Sequence, residues 1–493
     1  VKENTQIGRT NEDVYAHTSI NTGTLERAQQ ETLTPRINED QASKTSKYGW
    51  AFASLETGFI VIGMLFILLI MPRTLHGDAT YRYQYISQFL HQGIVQSVQN
   101  KYSLIGPIFS LPLLYIGEKL GKPVDWILLY NYIVFAISLL ATYLLCKDRL
   151  DRGLLRKFFL LMITASMFAA HLASYYGEVF TAVCVGFGIM AALIRFTSLG
   201  GWIVIVLGVA NTPATLVAFG LVVLKRILDK KRLRYALAII AAAILVLGES
   251  WIRRGSPFAS GYDNDAGYHT FMPYSGLPGF SYPFFFGLLS IFFSFGKGLI
   301  FFTPGLFLPI GKTLKMWRDK YALNMYQVYT LWICFVIGLV IIYSRWWSWY
   351  GGRYWGPRFF LFASIPASFA LAVRLHNKET HLAINIFTAV VLALSSWVGI
   401  CAVLFQSYVY LPTCAQNNYA LEAACHYIPE YSVLWSPFVT HPHLQLRQEL
   451  FLAYSLIVFI YFMFPLLFKI YQQARPLIVS FVKANINIRE WSI

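Results

Sequence analysis

Charge is scarce in this sequence, and acidic charge scarcest. Only 13% of its 493 residues are Asp, Glu, Lys or Arg, and the basic residues outnumber the acidic ones 40 to 24. Soluble domains carry roughly a quarter charged residues, so the shortage, beside 56% hydrophobic residues, excludes an ordinary soluble protein. What remains is a chain that crosses a membrane many times. Also missing are a phosphate-cradling glycine loop, a dinucleotide fingerprint, a zinc motif and a serine triad. Cysteine is sparse, with six in all. Cys146, Cys184, Cys334 and Cys401 lie in or beside apolar runs without metal-ligand spacing and read as small buried hydrophobes. Cys414 and Cys425 share one polar loop; whether they pair is open, and pairing requires an oxidising, non-cytoplasmic side. A net charge of +16 suggests nucleic acid in a soluble domain. Here the basic residues cluster briefly between apolar runs, as cytoplasmic loop anchors do, so no nucleic-acid partner is expected.

Residues 1–48 are polar, poor in aromatics and without hydrophobic periodicity, and read as a disordered cytoplasmic tail. The first apolar run, 50–71, is long enough to span and reads as a signal anchor rather than a cleaved signal. Further runs follow near 125–146, 158–173, 178–196, 201–211, 213–224, 235–250, 284–311, 324–344, 358–373, 382–404 and 450–470. Two of them, 201–211 and 213–224, are too short to span alone and flank Asn211-Thr212-Pro213, where proline stops the helical ladder. Residues 103–117, broken by Gly106, Pro107 and Pro112, read as re-entrant or interfacial. Counting the flanked pair as two gives about twelve crossings and places the basic clusters at 147–157, 225–234, 312–320 and 469–489 on one side. The expected fold class is therefore an all-α polytopic membrane protein with about twelve transmembrane helices and an amphipathic first outer loop. Its parts are a transmembrane module at 49–375, C-terminal transmembrane helices at 376–470 with an outer loop at 405–449, and a cytoplasmic tail at 471–493. Both termini are expected inside, in the inner (plasma) membrane.

With this orientation the unusual polar residues gather on the outer face. Asp78 opens a stretch whose Tyr81, Tyr85, Ile86, Phe89 and Leu90 recur at helical spacing, so it is either a helix cap or a general base at the rim of a low-dielectric cavity. Glu178, in Tyr175-Tyr176-Gly177-Glu178, either stabilises a helix N-terminus or faces a cavity. The segment 345–358 holds Arg345, Arg353 and Arg358, spaced by Gly351-Gly352 and Gly356-Pro357. Guanidinium forks suit phosphate oxygens, whereas Trp346, Trp347, Trp349 and Trp355 suit either an aromatic membrane belt or the faces of sugar rings. The outer loop from Arg253-Arg254 through Tyr262 to Asp263, Asp265 and His269 reads as a substrate-positioning segment with too few ligands for a divalent ion. Ser294-Phe295-Gly296-Lys297-Gly298 breaks the next run and lines the expected cavity.

In their order, His76-Gly77-Asp78, Glu178, Asn211-Thr212-Pro213, Gly255-Ser256-Pro257 to Gly261-Tyr262, Gly298-Leu299 to Pro304, and Trp346-Trp347 to Trp355-Gly356-Pro357-Arg358 resemble bacterial members of the GT-C glycosyltransferase superfamily. The group they resemble is that of the protein O-mannosyltransferases and lipid A aminoarabinose transferases, over roughly residues 50–375. The resemblance implies a GT-C-like catalytic module, a polyprenyl-phosphate-linked sugar as donor, and a cavity on the non-cytoplasmic face. It makes Asp78 the catalytic base and an arginine of Arg345, Arg353 and Arg358 the holder of the donor phosphate. Relatives often carry a second acidic residue directly after the first; here Ala79 follows, which leaves Glu178 as the catalytic partner. His76, Arg82, Tyr262, His269 and Trp349 are the expected substrate contacts. The expected activity is inverting transfer of one sugar to a lipid, glycan or protein acceptor of the cell envelope, with membrane lipids as surroundings and no cofactor or metal. A transporter or flippase is the alternative, against which stand nearly charge-free spans and the lack of an internal repeat.

Overall fold

The computed structural model describes residues 39–97, 99–262, 269–272, 274–352, 354–377, 380–405 and 412–490. Every element among them is a helix. Chain contacts divide it into residues 1–54, of which only the start of the first helix is described, and 55–493.

Among the described residues, seven helices are long and apolar enough to cross a membrane: Trp50–Ile70, Pro123–Cys146, Leu233–Arg254, Met325–Tyr343, Arg358–His376, Leu382–Leu404 and Leu446–Ser480. The remaining expected crossings are shorter. Glu178–Leu193 and Ser198–Asn211 are one close-packed pair, and Leu216–Lys230 follows after a 3-10 turn at Pro213–Thr215. The run expected at 158–173 splits into Arg152–Thr164 and Phe168–Leu172. The run expected at 284–311 also breaks, into Phe284–Phe293, Leu299–Phe302 and a 3-10 turn Pro304–Phe307, because Gly296, Gly298 and Pro304 cannot sustain a helical ladder. Residues 103–117 form only the short helices Ile105–Ile108 and the start of Leu111–Lys119.

At both ends helix reaches beyond the apolar runs. The first helix begins at Glu39, inside the stretch expected to be tail, and the last runs from Leu446 to Glu490 through Pro465 and Pro476. Residues 1–38 lie outside the described ones.

Small residues set the packing of the short pair. A Cβ at Gly201 would meet the backbone of Ala192 at 2.3 Å, and one at Gly208 would meet Cys184 Cβ at 2.7 Å. Glycine there lets two backbones touch, which is how helices associate where lipid offers no hydrophobic drive. Asn211 ends the second helix and is buried; its amide donates to Gly177 O at 2.9 Å and accepts from Gly106 N at 3.1 Å. One side chain thus ties the short helix at 105 to the turn that starts Glu178–Leu193. Glu178 is fixed by that tie.

Candidate active site

Asp78 is the first residue of the amphipathic helix Asp78–Gln92. It does not cap it: Gly77 occupies the cap position at φ 57°, and no side-chain cap bond forms. The carboxylate points elsewhere. Its Oδ1 accepts from the Tyr102 hydroxyl at 2.6 Å and its Oδ2 lies 2.7 Å from Arg358 Nη1. Arg358 Nε is 3.7 Å from Glu178 Oε1, so one guanidinium bridges two carboxylates. Its cation also lies over the rings of Tyr176 and Phe359, at 5.3 and 5.2 Å.

Arg82, one helical turn beyond Asp78, is buried over the Tyr102 ring, and its Nε and Nη1 have no partner among the described residues. It presses on Gly177, where a Cβ would meet its Nη2 at 2.6 Å. Burial pushes the Asp78 carboxyl up, but the Arg358 charge, the Tyr102 hydrogen bond and the Arg82 charge outweigh it and hold it below the usual carboxylate range. Burial, then the Asp78 charge, pushes the Tyr102 phenol far up, so it stays a donor.

Two supports hold this cluster. The first is a clamp at the end of helix Ala236–Arg254. Glu249 pairs with Arg253 at 2.9 Å and accepts from Leu104 N at 3.0 Å, Arg253 Nη1 donates to Tyr102 O at 2.5 Å, and Arg254 Nε donates to Asn100 O at 2.5 Å. The strap 99–104 is thereby pinned with Tyr102 facing Asp78. Arg253 and Arg254 serve as clamp residues.

The second support carries Arg358. Lys297, buried in the break of the expected 284–311 run, donates to the carbonyls of Gly352 (3.2 Å), Gly356 (2.9 Å) and Tyr354. Tyr354 in turn donates to Ala170 O at 3.0 Å and Ser174 Oγ at 2.9 Å. Gly351, at φ 77°, gives way to the Arg358 stem; a Cβ there would meet Arg358 Cγ at 2.9 Å. The tight turn therefore requires glycine.

Beside Arg358 lies a small recess whose lining combines the charged and hydroxyl side chains Glu178, Arg358, Thr181 and Thr212 with the apolar Phe335, Leu339, Leu361 and Phe362.

Of the residues singled out by sequence, the structure brings Asp78, Glu178, Arg358 and Arg82 together. Tyr262 stands next to them, with its ring 6.4 Å from that of Tyr102. Others lie apart. Arg345 donates from Nε and Nη2 to Phe280 O, both at 3.3 Å. His76 is the exception: exposed, with Nδ1 3.0 Å from Thr74 Oγ1, it borders the cluster through Tyr176, whose ring is 6.2 Å from its own and whose hydroxyl donates to its carbonyl at 3.1 Å. His269 is exposed and its imidazole packs over Gly276. Trp349 is buried beside Tyr350, His426 and Tyr427. Arg353, Asp263 and Asp265 lie outside the described residues, among which no acidic, histidine or cysteine cluster of metal-ligating shape occurs. Tyr102 and Lys297 carried no catalytic or binding signal in sequence beyond, for Lys297, being a lone charge in an apolar run. Cys414 and Cys425 are joined in a disulfide, and the other four cysteines are free.

No family model matches the chain, and no curated protein matches it. Two solved structures do. ArnT from Cupriavidus metallidurans bound to undecaprenyl phosphate is 12% identical over 87% of this chain and 78% of that chain, with a TM-score of 0.44. The apo state of ArnT from the same organism is 13% identical with the same coverage and a TM-score of 0.46. ArnT is an aminoarabinose transferase of the GT-C group.

Proposed function

We propose that the protein is a membrane-embedded glycosyltransferase that moves one sugar from a polyprenyl-phosphate donor to an acceptor hydroxyl at the non-cytoplasmic face. The observation that carries this reading is the guanidinium of Arg358 bridging Asp78 and Glu178 beside a recess lined by both charged and apolar side chains. A lipid phosphate has that duality of an anion and a hydrocarbon tail. The disulfide in the outer loop supports an oxidising side for this face.

In the proposed reaction the acceptor oxygen attacks the anomeric carbon from the face opposite the phosphate. The bond from that carbon to the phosphate oxygen breaks, the electron pair leaves with the polyprenyl phosphate, and the anomeric configuration inverts. Asp78 takes the acceptor proton. The leaving phosphate gains a negative charge as the bond breaks, and Arg358 is placed to stabilise it. The same guanidinium holds Asp78. A donor phosphate competes for it, and as Arg358 turns toward the phosphate the Asp78 carboxylate loses its main counter-charge and becomes the stronger base.

The test is to compare lipid-linked sugars and cell-surface glycans by mass spectrometry in cells carrying wild-type protein, Asp78→Asn, or no gene. Loss of one glycan with accumulation of its lipid-linked donor in both altered strains is the expected result. A wild-type glycan profile with Asp78→Asn, beside an altered lipid distribution on deletion, would remove catalysis and leave transport.

A further inference from the structure

Helix Ala236–Arg254 carries the Arg253–Arg254 clamp at one end and a run of positive charge at the other. Its 19 residues span about 28 Å, close to the hydrocarbon thickness of a bilayer, so the charged end lies at the membrane face opposite Asp78. There helix Leu216–Lys230 leads into the turn and the 3-10 helix Leu233–Tyr235 leads out of it. Residues 225–235 hold six lysines and arginines against a single carboxylate, Asp229. Lys225 pairs with that carboxylate, and no ion pair among the described residues neutralises the rest.

A basic side chain that merely anchors a helix extends its charge into water, as the exposed Lys230, Lys231 and Arg232 do. Arg226 does not. It follows Phe219, Val222 and Val223 on the buried face of its helix, where helical spacing calls for an apolar residue, and it is 6% exposed. Its Nε has no hydrogen-bond partner among the described residues, and its Nη1 reaches Gln327 Oε1 only at 3.5 Å. A buried guanidinium left so poorly satisfied is costly unless an anion completes it.

The fold brings a second arginine to the same place. Tyr235 packs against Trp202, ring to ring at 5.6 Å, and the guanidinium carbons of Arg226 and Arg234 lie 5.2 and 5.6 Å from the centre of the Tyr235 ring. Two planar forks thus gather around one phenol, and such forks suit phosphate oxygens.

The surroundings decide between a dissolved anion and a lipid. Leu224, Leu228, Leu233 and Leu237, on the turns beside the two arginines, are all exposed, so the site borders hydrocarbon in a membrane. A phospholipid of net negative charge meets both demands: its phosphate completes the forks and its acyl chains cover the leucines. Basic pockets between helix ends at a membrane face take lipid headgroups in this way. We propose that Arg226, Arg234 and Tyr235 form a binding site for the headgroup of an anionic phospholipid, at the face opposite the catalytic cluster. The site is independent of the transferase reading.

Native mass spectrometry of the full chain in detergent, titrated with phosphatidylglycerol, tests this. The wild-type protein should retain phosphatidylglycerol in preference to phosphatidylcholine, whose headgroup has no net charge. Arg226→Gln and Arg234→Gln should each weaken that retention roughly tenfold, the loss of about one charge-assisted hydrogen bond. Lys231→Gln, which removes the same charge from the same turn, should weaken it less than either, and Lys312→Gln should leave it unchanged. Arg234 is exposed, so Arg234→Gln decides the matter even where Arg226→Gln fails to fold. Equal losses with Arg234→Gln and Lys231→Gln would reveal general surface attraction and overturn the site. Equal retention of phosphatidylcholine, or displacement of phosphatidylglycerol by inorganic phosphate at the same concentration, would overturn the anionic-lipid assignment. The transferase reading fails separately, on the glycan profile of Asp78→Asn.

Discussion

Arg358→Lys separates charge from geometry at the centre of the site. Arginine here bridges Asp78 at 2.7 Å through Nη1 and Glu178 at 3.7 Å through Nε, and its plane lies over Tyr176 and Phe359. Lysine retains the positive charge, so the local set of two carboxylates and two cations, counting Arg82, stays balanced and the fold should hold. An ammonium is a point charge, however, and cannot present a planar fork to a carboxylate and a phosphate. Losing one charge-assisted hydrogen bond is worth about 1.5–3 kcal/mol, and at about 1.4 kcal/mol per decade that is roughly a 10- to 150-fold effect. The assay is transfer from a polyprenyl-phosphate sugar by purified protein in nanodiscs, with the thermal midpoint measured on the same samples. We expect turnover to fall by about that factor with the midpoint close to wild type. Wild-type turnover would refute the bridging role, and a collapsed midpoint would show that Arg358 serves the fold instead.

Tyr102→Phe removes a donor to Asp78, so the carboxyl rises from its lowered position; since the base form is lost as pH falls through that value, the acidic limb of the pH–rate profile should move to higher pH. An unmoved limb would detach Tyr102 from the base. Glu178→Gln removes a carboxylate from the same guanidinium, which eases approach of an anionic donor and lowers the proton affinity of Asp78. KM for donor should fall with the acidic limb moving down, and a raised KM would show that Glu178 contacts the donor. Lys297→Met leaves the buried Tyr354 carbonyl without its donor and takes one of two donors from the carbonyls of Gly352 and Gly356, and should destabilise the protein by about 1–3 kcal/mol, read as a lower thermal midpoint than Lys312→Met gives. Cys414→Ser opens a disulfide of sequence separation 11, worth about 3 kcal/mol by loop entropy, and should make the outer loop sensitive to protease.

The helical, membrane-spanning class was legible because composition alone forbids another solvent, and the breaks at Pro213 and at 294–298 were legible because proline and glycine act locally. Helix length was less so. Apolar runs say where a segment tolerates lipid, not where a ladder stops, so the run at 158–173 hid a break between Thr164 and Phe168. Asp78 shows the same limit at the site. Its place after a glycine at a helix start fits a cap, and only its tertiary partners, Tyr102 from 24 residues away and Arg358 from a distant part of the chain, draw the carboxylate off the helix. The Arg253-Arg254 pair was visible, but a pair of arginines in an outer loop looks the same whether it holds substrate or, as here, the carbonyls of a strap. Trp349 was grouped with Arg358 by proximity in sequence. Glycines at 351, 352 and 356, all at positive φ, turn the chain between them, so the two side chains serve different cavities.

That turn gives the proposed reaction its order. Among the described residues Arg358 is the cation bonded to Asp78, and it also lines the recess proposed for the lipid phosphate. Only an anion arriving at Arg358 from the lipid side loosens that bond. In the proposed reaction acceptor activation therefore depends on donor occupancy, because the base is released only when there is an anomeric carbon to attack.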